Sequence, residues 1–166
     1  MPGESFQRFP RPAPRTPNPF FMADHATSTG GTLTCVVVTP EQTVLSESTD
    51  FVALPLFDGE LGVAPKHSPM IGRLGYGEMR LGRGPSARRY YIDGGFVQVL
   101  NDVVTVLTGR AVDAAKLDAE VAREQLRTAQ SRPANTEELL AIRDRLIAQS
   151  RAQIRLATRG TATARH

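Results

Sequence analysis

The stretch GFVQVLNDVVTVLT, residues 95–108, carries the clearest structural signal in the sequence. Two runs of apolar, largely β-branched residues flank Asn101 and Asp102, and both of these residue types tolerate a positive φ angle. The pattern predicts a tight antiparallel hairpin. From Thr32 onward, further short β-rich runs precede it, and turn signals separate them about every 8 to 12 residues. That spacing is typical of an antiparallel sandwich or barrel.

Positions rich in glycine and proline mark the expected ends of these strands. No apolar period of helical length occurs among them, so a βαβ nucleotide-binding fold is disfavoured. Glycine also recurs from Gly72 to Gly84, but no Gly-Lys-Ser/Thr follows, and β-turns explain the pattern better than a phosphate loop. The expected strand breaks are Thr39-Pro40, Asp58-Gly59, Gly75-Tyr76-Gly77, Gly82 to Pro85, and Asp93-Gly94-Gly95.

Beyond Val112 the apolar pattern changes to the period of an α-helix. Asp113 is the expected cap of a first helix that ends near Ser131, and Asn135 is the expected start of a second. Because the apolar stripe on the first helix is mostly Ala and Val, the two helices should bury little area and form a movable hairpin. The predicted contact residues are Ala115, Val121, Ala122, Leu126 and Ala129 on the first helix, and Leu139, Leu140, Leu146, Ile147 and Ile154 on the second.

The predicted fold class is therefore β + α, an antiparallel β-sandwich over residues 32–111 followed by an antiparallel two-helix hairpin over 112–160. Residues 1–31 are rich in Pro and Arg without apolar periodicity, so a disordered extension is expected. An organelle transit peptide, or a true start at Met22, is an open alternative for this extension. Residues 161–166 are expected to form a disordered tail.

Composition excludes several classes of function. A single cysteine, Cys35, cannot form an internal disulfide or a thiolate metal site, and the scattered histidines do not make a metal cluster. No apolar run reaches the ~18 residues that a membrane span needs. No set of residues supports catalysis, so no catalytic residue, metal ion or cofactor is expected. Cys35 lies within an apolar strand, and a buried hydrophobic role is expected for it.

The formal net charge is +3, and the excess lies near the C-terminus, where every charged side chain after Asp144 is an Arg. Arg151, Arg155 and Arg159 are spaced four residues apart and share one face of the last helix. Like charges at this spacing cost about 0.2–0.5 kcal/mol per pair in an isolated helix. The stripe therefore predicts an acidic partner surface, although the helix dipole compensates in part for the charges of the last turn.

The segment DGELGVAPKHSPM, residues 58–70, combines turn glycines with charged and polar side chains. Its candidate interface residues are Glu60, Lys66, His67 and Met70. These side chains are expected to project from one end of the sandwich, where loops usually bind partners. Turn geometry alone is the alternative explanation for the segment.

Together these segments resemble the ε-subunit family of bacterial F-type ATP synthases, whose mitochondrial counterpart is called δ. The most specific part is residues 58–70, which match the family's G-E-[LM]-G…P-x-H-x-P loop. YIDGGF at 91–96 and VVTVL at 103–107 match its last strands, and LD at 117–118 opens its helical region. The resemblance spans residues 33–159.

The resemblance implies a non-catalytic central-stalk subunit in the rotor of a proton-translocating F-type ATP synthase, peripheral to the membrane on the cytoplasmic face of the bacterial inner membrane. The sandwich would bind the γ subunit and the polar loops of the c-ring, with Glu60 facing the c-ring and His67 and Met70 near γ. The hairpin would inhibit ATP hydrolysis when its basic residues meet an acidic segment of a β subunit. The sequence leaves open whether the coupling ion is H⁺ or Na⁺.

Some members of this family bind ATP on the hairpin through the motif [IL]-D-x-x-R-A and two Arg on the second helix. Asp118, Arg151 and Arg155 occupy three of these positions, but Val121 stands where the motif has Arg. A charge-assisted contact between guanidinium and phosphate is worth roughly 1.5–3 kcal/mol. Its loss argues against ATP sensing by this hairpin.

Nucleic-acid binding is a second function compatible with a small β-domain and a basic tail. The sheet region is net acidic, however, and its aromatic residues are too few to form a platform for stacking bases. No nucleic acid is therefore expected among the partners, and the ATP synthase interpretation is preferred.

Overall fold

The computed structural model describes residues 31–163. Apart from Gly31, the extension predicted over 1–31, together with the alternative start at Met22, lies outside the described residues. The end of the predicted tail, residues 164–166, lies outside them as well. The described chain forms a curled β-sheet followed by two helices.

The sheet confirms the predicted architecture. Its eight strands are β1 (Leu33–Val38), β2 (Thr43–Thr49), β3 (Val52–Leu56), β4 (Gly59–Val63), β5 (Met70–Leu81), β6 (Arg88–Leu100), β7 (Val103–Leu107) and β8 (Ala111–Asp113). Their order is β2-β1-β7-β6-β5-β3-β4, and β8 pairs with β6. Neighbouring strands are antiparallel except that β1 runs parallel to β7. Strands so distant in the chain leave no local signal of their pairing, so the sequence did not reveal this exception.

The sheet curls around one apolar core to which strands β1 to β7 all contribute. On β1 the alternation is strict, and Leu33, Cys35 and Val37 are completely buried. Burial raises the pKa of the Cys35 thiol to about 12. Cys35 therefore stays protonated and acts as a small apolar side chain, as expected.

The hairpin between β6 and β7 forms as predicted. Asn101 and Asp102 have φ angles of 51° and 59°, which are the left-handed values that a two-residue turn needs. The carbonyl of Asp102 also accepts a hydrogen bond from the N–H of Thr34 at 2.8 Å. This turn therefore fixes the start of β1 as well as the register of its own two strands.

Two of the predicted strand breaks are wrong. β5 continues through Gly75 and Gly77, and β6 continues through Gly94 and Gly95. On both strands, the residues that face the core are even-numbered before the glycines and odd-numbered after them. Each strand therefore bends at its glycines. A Cβ on Gly95 would lie 1.9 Å from the carbonyl oxygen of Leu107. Only glycine lets β6 approach β7 this closely.

Two helices follow the sheet. A short 3₁₀ turn at Ala114–Lys116 comes first, and Asp113 caps it by accepting the N–H of Ala115 at 2.9 Å. Helix α1 spans Ala119–Ser131 and helix α2 spans Glu137–Thr163. The second helix thus runs three residues past the predicted end at residue 160.

Both predicted helix caps are wrong, the first by five residues and the second by one. Asp113 does not cap α1 because the 3₁₀ turn ends at Leu117, whose backbone is extended, and the carboxylate of Asp118 caps α1 instead. At α2 the hydroxyl of Thr136, rather than Asn135, accepts the N–H of Leu139 at 3.3 Å. Side-chain oxygens at either position could serve, and the local backbone selects between them.

The helices pack differently from the predicted seam. Ala122 and Ala129 of α1 are buried as expected, but Leu139 and Leu140 are 41% and 39% exposed. Among residues 137–159 of α2, the buried ones are Ser150, Ala152, Leu156 and Ala157. Of the other predicted contact residues, Ala115 and Val121 are exposed, and Leu126, Leu146, Ile147 and Ile154 are half-buried. The second half of α2 therefore makes the closer contact with the rest of the molecule.

Substitution of Gly95 tests the bend in β6. Gly95→Ala should lower the free energy of unfolding by about 2 kcal/mol or more, because its φ angle of 110° and its contact with Leu107 both exclude a Cβ. Gly59→Ala is the matched control, since its Cβ would meet nothing within 4 Å. Urea unfolding followed by circular dichroism compares the two. Equal stability would contradict the role assigned to Gly95.

Candidate docking surfaces

Five large apolar side chains on the outer side of the sheet remain exposed. The outer apolar face, as we call it, comprises Ile71, Phe96, Leu100, Val103 and Leu107. Across the β6–β7 hairpin, Phe96 pairs with Leu107 and Leu100 pairs with Val103. The exposed fractions of the five residues run from 37% to 74%. The polar pair Gln98 and Thr105 lies between these two apolar pairs. Large apolar side chains exposed together on one face of a small domain indicate a place where a partner binds.

A shallow apolar groove of about 360 Å³ continues this face. Pro69, Met70 and Ile71 line one side of it, and Gln98 and Leu100 line the other. Met70, one of the predicted interface residues, therefore adjoins the outer apolar face.

Lys66 and His67 lie near the same edge of the sheet. The N–H of Lys66 donates to Oδ1 of Asp102 at 2.5 Å, which fixes the loop after β4 against the β6–β7 turn. Nδ1 of His67 lies 2.8 Å from the carbonyl oxygen of Ser68, a hydrogen bond that requires the proton to be on that nitrogen. Lys66, His67 and Met70 thus border the end of the sheet at which Asp102 turns the chain.

Glu60 lies elsewhere. It is at the opposite end of β4 from Lys66, and its carboxylate pairs with the guanidinium of Arg80 at 2.5 Å. The expectation that all four candidate interface residues project from one end of the sandwich does not hold, because part of the segment 58–70 is the strand β4. The Glu60 side chain is 61% exposed, so it is still accessible to a partner.

A second, smaller core joins the hairpin to the sheet. Tyr91 of β6 is completely buried in it together with Ala114 and with Ala152 and Leu156 of α2. Partly buried side chains packed against it are Tyr76, Val112 and Leu117. With four buried residues, two of them alanines, this core is smaller than the sandwich core.

One carboxylate organises the polar edge of the second core. Oδ1 of Asp93 accepts hydrogen bonds from the hydroxyl of Tyr91 at 3.0 Å and from Nε2 of Gln149 at 2.8 Å. Burial raises the pKa of Tyr91 far above its usual range, so its hydroxyl stays protonated and donates. The bond from Gln149 runs from α2 to β6 and helps to hold the hairpin against the sheet.

The predicted basic stripe on α2 is partly turned toward the sheet. Nη1 of Arg159 lies 3.6 Å from Oε2 of Glu78 on β5. Arg155 lines a polar cleft between α2 and the sheet. Arg151 is exposed and lines neither this cleft nor the one between the two helices. The three residues therefore have different surroundings in this arrangement of the hairpin.

None of the candidate nucleotide-binding residues lines the cleft between the two helices. An interhelical cleft of about 520 Å³ is lined by Val121 and Arg132, among others, but not by Asp118, Arg151 or Arg155. The carboxylate of Asp118 is engaged in capping α1. Within residues 31–163 there is also no group of three or more His, Cys, Asp or Glu side chains that could hold a metal ion.

Sequence reasoning missed the outer apolar face and the role of Asp93. A signal for the first was available, since VVTVL at 103–107 is largely apolar on both alternating faces and one of them must lie outside the core. No local pattern relates Asp93 to Gln149, because they meet only after the hairpin has folded onto the sheet.

The sandwich region matches a known protein family. Residues 32–114 match the family model described as ATP synthase, Delta/Epsilon chain, beta-sandwich domain. An ATP synthase epsilon chain of Rhodopirellula baltica is 52% identical over 121 residues, covering 73% of this chain and 94% of that one. Another, of Syntrophobacter fumaroxidans, is 39% identical over 120 residues, covering 72% of this chain and 90% of that one.

Two solved structures share the fold. A chain in the Euglena gracilis mitochondrial ATP synthase (OSCP/F1/c-ring) aligns with a TM-score of 0.64 and 20% identity, over 92% of this chain and 99% of that one. A chain in the central stalk/c-ring structure of the Tetrahymena thermophila mitochondrial ATP synthase aligns with a TM-score of 0.56 and 16% identity, over 80% and 98%. At these identities the likeness concerns the fold alone.

Substitution of Gln149 tests how the hairpin is held. Gln149→Leu removes the hydrogen bond to Asp93 at similar side-chain size. It should speed hydrogen exchange of the α2 amides about 2- to 12-fold, the equivalent of about 0.5–1.5 kcal/mol, and leave the sandwich amides unchanged. Gln130→Leu, at an exposed position on α1, is the matched control. Exchange at the wild-type rate in Gln149→Leu would show that this bond does not hold the hairpin.

Proposed function

The chain belongs to the ATP synthase delta/epsilon chain family as an epsilon-type, non-catalytic subunit, and on that premise we propose that it works in the central stalk of the rotor. There it couples the c-ring to the γ subunit through its sandwich, and it restrains ATP hydrolysis through its hairpin. Its partners are γ, the polar loops of the c-ring and an acidic segment of a β subunit. Its place is peripheral, at the cytoplasmic face of the bacterial inner membrane. No helix within residues 31–163 is both long and apolar enough to cross a bilayer.

The outer apolar face is the observation that carries this proposal. The buried centre of a stable interface is apolar and enriched in aromatic residues, and Phe96 supplies such an anchor among aliphatic neighbours. Met70 and the groove beside it extend the same surface. The face suits γ, because a rotor needs a contact between its subunits that persists through every turn.

Glu60 supports a separate contact with the c-ring. Its carboxylate is exposed beside Arg80, so this region offers both signs of charge to polar loops. Exposed ion pairs contribute little each, about 0–1 kcal/mol, so this contact relies on several polar interactions and on γ to hold the subunit in place. Since Glu60 and Lys66 lie at opposite ends of β4, both partners can bind at once.

The hairpin supports an inhibitory role because its contact with the sheet is small. The second core contains two alanines, and Asp93 adds a hydrogen bond that water can replace. When the hairpin leaves the sheet, Arg151, Arg155 and Arg159 can face an acidic segment of a β subunit together. The same residues do not support ATP sensing, since the carboxylate of Asp118 is engaged in capping α1 and Val121 stands where ATP-binding members have Arg. Family membership also replaces the alternative of nucleic-acid binding.

A charge on the outer apolar face tests the γ contact. Leu107→Glu should weaken binding of the subunit to purified γ at least tenfold, because a buried, unpaired carboxylate would oppose an apolar partner. The melting temperature should change little, since Leu107 is 51% exposed. Leu140→Glu, also exposed but on the hairpin, is the control and should bind γ normally. If Leu107→Glu bound γ as tightly as wild type, γ would have to bind another surface of the subunit.

A charge reversal on α2 tests the inhibitory contact. Arg151→Glu with Arg155→Glu should raise ATP hydrolysis by the assembled complex, because like charges would oppose the acidic β segment. The Arg159–Glu78 pair is left intact in this variant. Truncation after Lys116 removes the hairpin but keeps β8 and Ala114, and it gives the rate of ATP hydrolysis without inhibition by the hairpin. Hydrolysis at the wild-type rate in the double variant, but not in the truncation, would exclude these two Arg from the inhibitory contact.

A further inference from the structure

The polar cleft between α2 and the sheet collects an unusual number of guanidinium groups. It measures about 570 Å³, and its charged lining residues are Arg80, Arg89, Arg155, Arg159, Glu60 and Glu78. The first two Arg and both Glu belong to the sheet, whereas Arg155 and Arg159 belong to α2. The docked hairpin therefore brings two more cations to a cleft in which the sheet supplies two anions and two cations of its own.

Glu78 is the carboxylate that links the two elements. Its side chain is only 15% exposed, and Oε2 lies 3.6 Å from Nη1 of Arg159. Its other oxygen, Oε1, lies 3.5 Å from Nε of Arg89 on β6. Glu60, in contrast, is paired with Arg80 within the sheet. Loss of the hairpin would leave Glu78 with Arg89 and expose it to water.

We infer that Glu78 is an internal substitute for the acidic segment of the partner, so that the docked hairpin keeps Arg159 on a carboxylate of its own sandwich until a partner carboxylate replaces it. The inference rests on the inhibitory role proposed above for the hairpin. The site on α2 thus accepts an acidic peptide, and Glu78 competes for it. Docking and inhibition are mutually exclusive because they use the same guanidinium group.

The full-length isolated subunit tests the docking half of this inference. Glu78→Gln keeps size and removes the charge, and Arg159→Gln removes the partner charge on an exposed side chain. Either variant should speed hydrogen exchange of α2 amides near 152–157 about two- to fivefold, the range expected for one ion pair at the protein surface. The double variant should add little to either one, because the two groups act on each other.

Two control variants distinguish the effect of the Glu78–Arg159 ion pair from general effects of charge. Glu47→Gln removes a carboxylate that pairs with Arg88 within the sheet and should leave α2 unchanged. Arg89→Gln removes the other cation beside Glu78 and should slow the exchange of α2, since Glu78 then has Arg159 alone. Unchanged exchange in both Glu78→Gln and Arg159→Gln would overturn the inference.

The competition half uses a short glutamate-rich peptide as the probe. Glu78→Gln should bind it about two- to fivefold more tightly than wild type, and the gain should shrink in high salt. The assembled complex that contains Glu78→Gln should hydrolyse ATP more slowly than wild type. Faster α2 exchange without tighter peptide binding would overturn the competition. If Glu78→Gln showed faster α2 exchange and tighter peptide binding but hydrolysis at the wild-type rate, Glu78 would still compete for the site on α2. That result would count against the inhibitory function of the hairpin instead.

Discussion

At Gly95 the backbone of β6 passes so close to β7 that a Cβ would lie 1.9 Å from the carbonyl oxygen of Leu107. In a straight strand all odd-numbered residues face the same side, so Tyr91 would face the same side as Val97. The bend reverses the side that odd-numbered residues face. Val97 therefore lies in the sandwich core, while Tyr91 points outward to the hairpin. The core and the hairpin contact therefore both depend on a position that only glycine can occupy, and the bend sets where Phe96 faces relative to them.

The two contact surfaces differ in chemistry in a way that fits their proposed lifetimes. The outer apolar face offers large aliphatic and aromatic side chains, whose burial contributes about 25 cal/mol for each Å² removed from water. The hairpin docks through a few apolar side chains, Ala152 and Leu156 against Tyr91, together with a hydrogen bond to Asp93 and an ion pair to Glu78. Water and a charged competitor can replace the polar contacts at little cost. The first surface suits a permanent neighbour and the second suits a switch.

The sequence predicted those features that short segments determine by themselves. Asn101 and Asp102 form the expected turn because their positive φ angles are a local property. Gly94 and Gly95 were misread as a strand end, since glycine marks a close backbone approach as readily as a break. Leu139 was expected at the helix–helix contact but is exposed. Helical periodicity predicts which residues share a face, but it does not predict which element packs against that face. The pairing of Glu78 with Arg159 depends on tertiary packing, which no local pattern reports.

The parallel pairing of β1 with β7 has a consequence for how the chain is made. Strand β1 leaves the ribosome long before Val103, which is the register partner of Thr34, has been translated. Until then β2 can cover only one edge of β1. The other edge exposes unpaired N–H and C=O groups, which are a template for pairing with a neighbouring nascent chain. The closing step of the sheet is thus delayed to the end of the domain's synthesis, and crowded polysomes are where this fold is most vulnerable to aggregation.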